Sequence, residues 1–415
     1  MKVHLMGIGG TGVSSLALVL LRRGDEVSGC DAQASATTEQ LAKAGARIAI
    51  GHDAAHVAGQ DLVVHSAAIP ATQEELVAAR DAEIETLTRA ELLAQLMRSS
   101  DAIAVAGTHG KTTTTYMLGH ILTEAGYDPS VLVGDGANTR AGGSRWLVAE
   151  ADESDGSLVL HEPRYAIVTN LELDHPDHFT TLEAVEEVFA SFLSHLPSDG
   201  LAVICAEDEK LLTLPTPARR VTYGIERGDY KWRALGFEVK VPGRHNALNA
   251  CGAAALAIEL GVSRDVVGRA LASFKGARRR LEHVGAWREA ELYDDYGHHP
   301  TEVRATVAAV RELQPKRVVL VFQPHRYSRY AHFRDDFAKA LASADQVVVT
   351  EIYGAGEANP EGISSRELAG AVPGARFAAD LAEVRAQVEK LVQPGDLVLF
   401  MGAGDIWKVP HQLAE

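Results

Sequence analysis

Short apolar runs and helically spaced apolar residues alternate along most of this chain. An apolar run at 2–6 enters a glycine turn, and segment 13–23 then places its apolar residues on one face, before Gly24. A second apolar run at 102–106 enters another glycine turn, and helical spacing follows over 116–122. Strands that alternate with helices are typical of parallel sheets with helices on both faces. The pattern therefore predicts the α/β class, with the first helix ending at Gly24.

Three such α/β units follow one another in the sequence. The first unit is Rossmann-like, loses its pattern near 98–101 and is assigned to residues 1–99. The central unit, at 100–275, contains a candidate P-loop. A basic, glycine-containing stretch at 274–280 is typical of a hinge, and a Rossmann-like third unit is assigned to 276–415. The length of 415 residues agrees with about three domains.

Composition favours a soluble cytosolic enzyme. The three cysteines lie far apart without metal-ligand spacing, which is typical of a reducing compartment. We expect no signal peptide and no membrane span, because the chain starts directly with a strand and lacks a long apolar run. A net charge of −16 argues against nucleic acid as a partner. It would also repel anionic nucleotides, so a site for them needs local cations.

The second glycine turn has the features of a nucleotide-phosphate site. It follows a strand and begins a helix, so its backbone N–H groups and the helix N-terminus would face the phosphates. Lys111 would meet the outer phosphates, and the Thr112 hydroxyl would hold Mg²⁺. The spacing differs from a standard P-loop, because Val105 stands where the first glycine is expected. The candidate ATP-binding residues are Gly107, Thr108, His109, Gly110, Lys111, Thr112 and Thr113.

The first glycine turn carries a dinucleotide-binding fingerprint. Gly7, Gly9, Gly10 and Gly12 precede a helix, and Asp31 ends the next strand about twenty positions later. Taken alone, this motif favours NAD. Glycines at a helix N-terminus bind any diphosphate, however, including that of a UDP-sugar. The motif by itself leaves both ligands open.

Two apolar strands of the central unit end in turns rich in carboxylates. The strand at 146–149 leads into the acidic turn 150–155, and the strand at 165–169 leads into 170–175. Ligands of parallel sheets bind at the carboxyl ends of strands, so both turns are candidate Mg²⁺ sites. The imidazole of His175 is a poor match for a hard cation, and a capping or core role is equally plausible from its chemistry.

The third unit contributes a pair of arginines. Arg326 and Arg329 are three positions apart and would share one face if their segment is helical. Such a pair could bind a carboxylate, although a pair of surface arginines fits the spacing as well.

Seven motifs then occur in the order of a known family. The chain resembles the Mur ligase family over nearly its whole length. The motifs are Gly7–Ser14, Gly107–Thr115, Glu150–Asp155, Asp174–His175, His245–Asn249, Asp294–Pro300 and Phe322–Arg329.

The resemblance implies an ATP-dependent amide ligation, and its motifs point to the alanine-adding branch. The carboxylate of UDP-N-acetylmuramate would attack the γ-phosphate of ATP, and the amine of L-alanine would displace phosphate from the acyl phosphate. ATP and two Mg²⁺ ions are the implied cofactors. The expected partners are small molecules, with no nucleic acid and no membrane span, and the expected assembly is a monomer or a homodimer.

The resemblance also implies residue roles. The UDP-sugar would contact Gly9, Gly10, Thr11, Gly12, Ser14 and Asp31. The metal ligands would be Thr112, Glu150 and His175. Asn246 and Asn249 would bind adenine, and Arg280 and Asp294 would approach ATP from the third domain. L-alanine would contact His298, Arg326 and Arg329. Catalysis is assigned to Lys111, Arg280 and His298, although a purely structural role for His298 is equally plausible.

Three other functions remain open from the sequence. A recycling ligase would attach a tripeptide to the same nucleotide sugar. An NAD(P)-dependent dehydrogenase would use the first fingerprint but leave the P-loop and both acidic turns without a role. A nucleotide-switched binding protein would hydrolyse ATP without ligation.

Overall fold

The computed structural model describes residues 1–66, 69–134, 139–154, 156–359 and 362–415. It divides into two compact units. The first unit contains Met1–Leu171, Val185–Phe237 and Asn249–Leu271, and the second contains Glu172–Ala184, Glu238–Leu248 and Ala272–Glu415.

The first unit begins with a parallel sheet in the order β3-β2-β1-β4-β5. Its strands are β1 (Lys2–Met6), β2 (Glu26–Asp31), β3 (Arg47–Ile50), β4 (Leu62–His65) and β5 (Glu85–Thr88). Its helices are α1 (Thr11–Arg23), α2 (Ala36–Lys43), α3 (Glu74–Asp81) and α4 (Arg89–Arg98). The strand order reverses beside β1, which places the loop after β1 at a ligand-binding position of this fold.

Helix α1 ends where the sequence predicts. Gly24 adopts φ 89°, and its N–H donates to the carbonyl oxygens of Leu20 and Leu21. A left-handed glycine of this kind closes a helix at low cost, because it has no Cβ to clash with the backbone.

The first unit also holds a second parallel sheet, in the order β12-β11-β10-β9-β6-β8-β7. Its strands are β6 (Asp101–Ala106), β7 (Ser130–Leu132), β8 (Trp146–Glu150), β9 (Tyr165–Val168), β10 (Leu201–Cys205), β11 (Arg219–Gly224) and β12 (Tyr230–Lys231). The helices along this stretch are α5 (Lys111–Glu124), α6 (Leu182–Ser194), α7 (Glu209–Thr213), α8 (Trp232–Leu235), α9 (Arg244–Glu259) and α10 (Arg264–Ser273). Strand β6 lies between β8 and β9, so the loop after β6 is flanked by the ends of both strands that lead into acidic turns.

The second unit is built on a mixed sheet in the order β13-β14-β18-β15-β16-β17. The strands are β13 (Glu282–Trp287), β14 (Ala290–Asp295), β15 (Arg317–Phe322), β16 (Gln346–Thr350), β17 (Arg376–Ala378) and β18 (Asp396–Met401). Only the β13–β14 pairing is antiparallel in this described sheet. The helices are α11 (Pro300–Arg311), α12 (Tyr327–Leu341), α13 (Arg366–Ala371), α14 (Leu381–Leu391) and α15 (Lys408–Ala414).

The predicted α/β class is confirmed, with three largely parallel sheets in chain order. One local expectation is wrong. Arg326 and Arg329 do not share a helical face, because α12 begins at Tyr327 and Arg326 adopts φ 66° before it. The domain limits 1–99, 100–275 and 276–415 stay a prediction. In the part of the chain that the structure describes, no helix is both long enough and apolar enough to cross a membrane.

Candidate active site

The loop after β6 requires glycine at two positions. Gly107 adopts φ 133°, and a Cβ there would lie 1.9 Å from Oγ1 of Thr169. Gly110 adopts φ 83°, and a Cβ there would lie 2.5 Å from Oδ1 of Asn249. Contacts this short leave no room for a side chain, so both glycines are fixed by the fold and by close packing.

The end of β9 holds this loop in place. The backbone N–H of His109 donates to Oδ1 of Asn170 (2.8 Å), and Nδ2 of Asn170 donates to the carbonyl oxygen of His109 (2.9 Å). Oγ1 of Thr169 donates to the same carbonyl oxygen at 2.6 Å. The sequence places Asn170 in a candidate metal turn, whereas the structure shows that it fixes the phosphate loop.

Lys111 is buried at the first position of α5, beside carboxylates. Its Nζ lies 2.7 Å from Oε2 of Glu153 and 3.6 Å from Oδ1 of Asp152. Burial lowers the pKa of Lys111, but these neighbouring carboxylates raise its pKa by more, so the ammonium stays charged. Burial raises the pKa of Glu153 to about 7, although Lys111 acts in the opposite direction. Lys111 is therefore a fixed cation of this loop. Its partner Glu153 loses its proton less readily than an exposed carboxyl group does.

Thr112 and Glu150 form a candidate cation site beside the loop after β6. Oγ1 of Thr112 donates to Oε1 and Oε2 of Glu150, at 3.0 and 3.1 Å. Adjacent oxygen ligands of an octahedral Mg²⁺ lie about 3.0 Å apart, because each is about 2.1 Å from the ion. The donor set and its spacing therefore fit Mg²⁺. Thr113, the next residue of α5, is buried.

The loop after β1 is arranged around Asp31. The N–H of Gly9 donates to Oδ2 of Asp31 (2.9 Å), and the N–H of Gly10 donates to the carbonyl oxygen of Gly7 (3.0 Å). Helix α1 then begins at Thr11, and Gly10 offers it no side-chain cap, which leaves N–H groups available for an anion. The Ser14 hydroxyl donates to the carbonyl oxygen of Thr11 (3.0 Å), inside the helix.

One cavity of about 540 Å³ extends from the first glycine loop to the end of β8, where Glu150 is hydrogen-bonded to Thr112. Its lining includes the first glycine loop, Asp31 and Ser66 on one side and Glu150 and Asp152 on the other. Arg89, the first residue of α4, also lines it, and a Cβ on Gly12 would lie 2.7 Å from Cδ of Arg89. Sequence reasoning missed Arg89, although the need for a local cation near a diphosphate is a signal that could have prompted a search for one.

The second unit contains a buried ion pair near the predicted L-alanine residues. Nε of Arg329 donates to Oδ1 of Asp174 (2.8 Å), and both side chains are buried. Burial raises the pKa of Asp174, but Arg329 and the other groups around it together lower this pKa by more, so the carboxylate stays ionised. Arg326 is partly exposed and donates to Oδ2 of Asp177 (2.8 Å). The arginine pair thus consists of one buried and one accessible guanidinium.

His298 lies in the same cluster. Its ring stands 5.6 Å from the ring of His325, and its Nδ1 lies 3.1 Å from the carbonyl oxygen of Tyr296. Burial and the nearby charge of Arg329 lower the pKa of His298 to about 3. The imidazole is therefore neutral at physiological pH. His175 adopts φ 55°, and its N–H donates to Asp174 (2.7 Å).

Four further predicted residues have defined positions. Asn246 and Asn249 are buried near the start of α9, and Nδ2 of Asn246 donates to the carbonyl oxygen of Pro242 (2.7 Å). The Arg280 guanidinium lies 5.0 Å from the ring centre of Tyr296.

Asp294, the fourth of these residues, is predicted to contact ATP. It is fully buried, and its Oδ2 accepts from Nε of Arg279 (3.3 Å). Burial raises the pKa of Asp294 to about 6. In this structure the Asp294 side chain is closed off from solvent, so its contact with ATP stays a prediction that requires a local rearrangement.

The fold and this site define a nucleotide-dependent α/β enzyme with a phosphate loop in its second sheet. Residues 2–101 match the catalytic domain of the Mur ligase family, residues 105–235 match the Mur ligase middle domain, and residues 279–404 match the Mur ligase glutamate ligase domain. The chain belongs to the Mur ligase family.

Named relatives sharpen this assignment. A UDP-N-acetylmuramate–L-alanine ligase of Solidesulfovibrio magneticus is 41% identical, covering 98% of this chain and 96% of the relative. The crystal structure of a UDP-N-acetylmuramate–alanine ligase from Thermotoga maritima matches with a TM-score of 0.79 and 30% identity, over 100% of this chain and 98% of that one. A murein peptide ligase from Psychrobacter arcticus matches with a TM-score of 0.70 and 25% identity, over 100% and 98%. The dehydrogenase hypothesis gains no support from these relatives.

Proposed function

We propose that this chain joins L-alanine to the carboxylate of UDP-N-acetylmuramate, with ATP as the energy source, in peptidoglycan precursor synthesis in the cytoplasm. The observation that carries the proposal is the shared cavity of the first unit. The first glycine loop and the Glu150 carboxylate line the same cavity, and Glu150 is hydrogen-bonded to Thr112 of the phosphate loop. A nucleotide sugar held at one side can therefore present its far end to the γ-phosphate of ATP.

The first glycine loop would bind the sugar nucleotide and would take no part in the chemical step. Its free N–H groups, the N-terminus of α1 and the Arg89 guanidinium are suited to the UDP diphosphate. Gly9, Gly10, Thr11 and Gly12 would approach this group through their backbone. Asp31 fixes the loop through the N–H of Gly9, and Ser14 acts within the helix.

The second loop supplies activation. A carboxylate is a poor acylating agent, because its leaving group would be oxide; transfer of the γ-phosphoryl group to it creates an acyl phosphate with phosphate as the leaving group. Lys111 would exchange Glu153 for the ATP phosphates and would stabilise the charge that develops on them. Thr112 and Glu150 would hold Mg²⁺, which neutralises phosphate charge when it is bound. His175 is proposed as a ligand of a second Mg²⁺.

The second unit would bind the amino acid. Arg326 is the more accessible guanidinium and would exchange Asp177 for the carboxylate of L-alanine, while the buried Arg329 would stay paired with Asp174 and orient the site. His298 would then contact the amine. With a pKa of about 3 in the free protein, His298 is a weak base, and the anionic substrates would have to raise this pKa before it could accept the amine proton. Asn246, Asn249, Arg280 and Asp294 are proposed contacts of ATP.

The test is phosphate release from ATP with UDP-N-acetylmuramate and a panel of acceptors. L-alanine should be the preferred acceptor, and omission of either substrate should remove turnover. Preference for a tripeptide would assign the chain to the recycling ligases instead. ATP turnover that needs neither the sugar nor the amino acid would favour a nucleotide-switched protein.

A further inference from the structure

A second cluster of chemically active side chains lies in the first sheet, outside the site described above. Glu75, at the start of α3, is completely buried and is surrounded by three histidines and a cysteine. Its Oε1 lies 2.6 Å from Nδ1 of His56 and 3.5 Å from Nε2 of His4. Its Oε2 lies 2.9 Å from Nδ1 of His52 and 3.3 Å from Sγ of Cys30. The proposed ligation assigns no role to this cluster.

We propose that His4, Cys30, His56 and Glu75 form a binding site for Zn²⁺. One donor atom from each of the four residues lies within 4.8 Å of the other three. Ligands of a tetrahedral zinc ion lie about 3.3 to 3.8 Å from one another, because Zn–N is about 2.0 to 2.1 Å and Zn–S about 2.3 Å. Oε1 of Glu75 already lies 3.5 Å from Nε2 of His4, and its Oε2 lies 3.3 Å from Sγ of Cys30, whereas the 2.6 Å contact of Oε1 with Nδ1 of His56 would lengthen when the ion binds.

The ligand types select the metal. Two imidazoles, a thiolate and a carboxylate form a mixed nitrogen, sulfur and oxygen set, which suits Zn²⁺ and is a poor match for Mg²⁺. Mg²⁺ prefers six oxygen ligands, of the kind that Thr112 and Glu150 would supply in the proposed active site. The two sites of this protein should therefore take different ions.

A hydrogen-bonded cluster without metal explains the contacts less completely. His52 and His56 alone can satisfy both oxygens of Glu75. His4 is buried, yet its Nε2 has no hydrogen-bond partner among the described residues and faces Glu75. A buried polar atom without a partner costs about 1–3 kcal/mol, which a metal ligand bond would offset.

The His4 ring is also oriented by an outer hydrogen bond, as the rings of metal-bound histidines usually are. Its Nδ1 lies 3.0 Å from the Ser28 hydroxyl, which fixes the ring so that Nε2 faces the cluster. An outer hydrogen bond on the second ring nitrogen is typical of metal-bound histidines. His52, which contacts Glu75 and lies 3.4 Å from Sγ of Cys30, would be the outer partner on the other side.

An entry path exists. A cavity of about 390 Å³ is lined by His4 and His56, and the His56 side chain is 25% exposed. The four ligands come from β1, β2, the turn at Ala54–Val57 and α3. A bound ion would therefore cross-link two strands of the first sheet with a turn and a helix, and its stabilisation of the folded state would grow with the logarithm of its concentration.

The site also borders the first glycine loop. The carbonyl oxygen of Cys30 accepts the N–H groups of Gly7 (2.9 Å) and Ile8 (3.0 Å), and Asp31 accepts that of Gly9 (2.9 Å). A metal bound to Sγ of Cys30 would fix the end of β2, to which the first glycine loop is hydrogen-bonded. We therefore expect Zn²⁺ to order the first loop as well as the sheet.

The test is metal titration of the full chain after removal of metals, with excess Mg²⁺ present to occupy oxygen sites. Co²⁺ should bind with one equivalent and show the near-ultraviolet absorption of a thiolate–cobalt bond, which Zn²⁺ then displaces. Cys30→Ser should lose this absorption. Cys205→Ser and Cys251→Ser are matched controls, since both thiols are buried, and they should keep it.

His56→Asn is a second variant, and it should still fold because the His56 side chain is partly exposed. It should keep the melting temperature of the metal-free protein but bind Zn²⁺ at least about a hundredfold more weakly, which is more than loss of an outer partner usually costs. Zn²⁺ should raise the melting temperature of the original chain and leave that of His56→Asn unchanged. Absence of thiolate–cobalt absorption in the original chain would overturn the proposal. Equal zinc affinity of the original chain, Cys30→Ser and His56→Asn would overturn it as well. None of these measurements depends on ligase activity.

Discussion

The two glycine loops of the first unit share a backbone design and differ in the side chains around them. Each follows a buried parallel strand, lies where the strand order of its sheet places ligands, and leads into a helix. The loop after β1 is fixed by Asp31 and lies against Arg89, with which it lines a cavity. The loop after β6 carries a buried Lys111, which pairs with Glu153, and Thr112, which pairs with Glu150.

The difference shows how one phosphate-binding design can serve two purposes. Backbone N–H groups and a helix N-terminus are enough to hold a diphosphate in either loop. The second loop adds a fixed ammonium and a carboxylate suited to Mg²⁺, which would stabilise charge that develops during the proposed phosphoryl transfer. The first loop should therefore affect binding of the sugar nucleotide, and the second should affect the rate of reaction.

Replacement of Lys111 tests this division most strongly. Lys111→Ala should lower kcat about a thousandfold or more, because it removes the cation that meets the transferred phosphate. Binding of UDP-N-acetylmuramate, followed by calorimetry, should change by less than about threefold, since Lys111 does not line the shared cavity. Equal loss of sugar binding and turnover would show that the two loops are not separate in function.

Glycine replacements compare the two loops directly. Gly107→Ala should raise KM for ATP about a hundredfold and destabilise the protein by about 2–4 kcal/mol, because its Cβ would lie 1.9 Å from Thr169. Gly12→Ala is the matched control, since its Cβ would meet the flexible Arg89 side chain at 2.7 Å. It should raise KM for the sugar nucleotide and leave KM for ATP within about twofold. An equal effect of both variants on ATP would contradict the comparison.

Much of this arrangement follows from local sequence patterns. Apolar runs predict the strands β1, β6, β8 and β9, and strand-to-helix turns predict both glycine loops, because these features depend on neighbouring residues. The expected meeting of the acidic strand ends with the phosphate loop follows from the geometry of parallel sheets. Glu150 lies within hydrogen-bond distance of Thr112, in agreement with that expectation.

What the sequence did not predict depends on contacts between distant residues. Asp174 and Arg329 form a buried ion pair although 155 positions separate them. The four proposed zinc ligands have no recognisable spacing, because they come from four elements. The left-handed backbone of Arg326 interrupts the helical spacing on which its predicted pairing with Arg329 depended. Local periodicity contains no information about such contacts.

Arg89 tests whether the first loop has its own cation. Arg89→Ala should raise KM for UDP-N-acetylmuramate about tenfold with little change in kcat, because a contact made equally in the ground state and the transition state affects binding alone. The control is Arg80→Ala, an exposed arginine of the preceding helix α3. A tenfold loss of kcat in Arg89→Ala would instead place this arginine in the chemical step.

Glu153 gives the smallest and most specific test, through pH. Its pKa is about 7 in the folded protein and 4.5 in the reference state, so the folded protein binds more protons between these values. Stability attributable to this group is therefore greatest below pH 4.5 and is lost as the pH rises through about 7. The slope should not exceed about 1.4 kcal/mol per pH unit, the value for one proton.

Glu153→Gln removes the titrating group while it keeps the shape of the side chain. Urea unfolding of the metal-free, ATP-free protein between pH 5 and pH 8 should show a shallower decline of the unfolding free energy in this variant than in the original chain. Glu162→Gln, at an exposed carboxylate, should leave the original slope unchanged. Parallel curves for Glu153→Gln and the original chain would mean that the Lys111–Glu153 pair is fully ionised across this range. Lys111 would then be held by a strong ion pair instead of a partner that ATP phosphates readily replace.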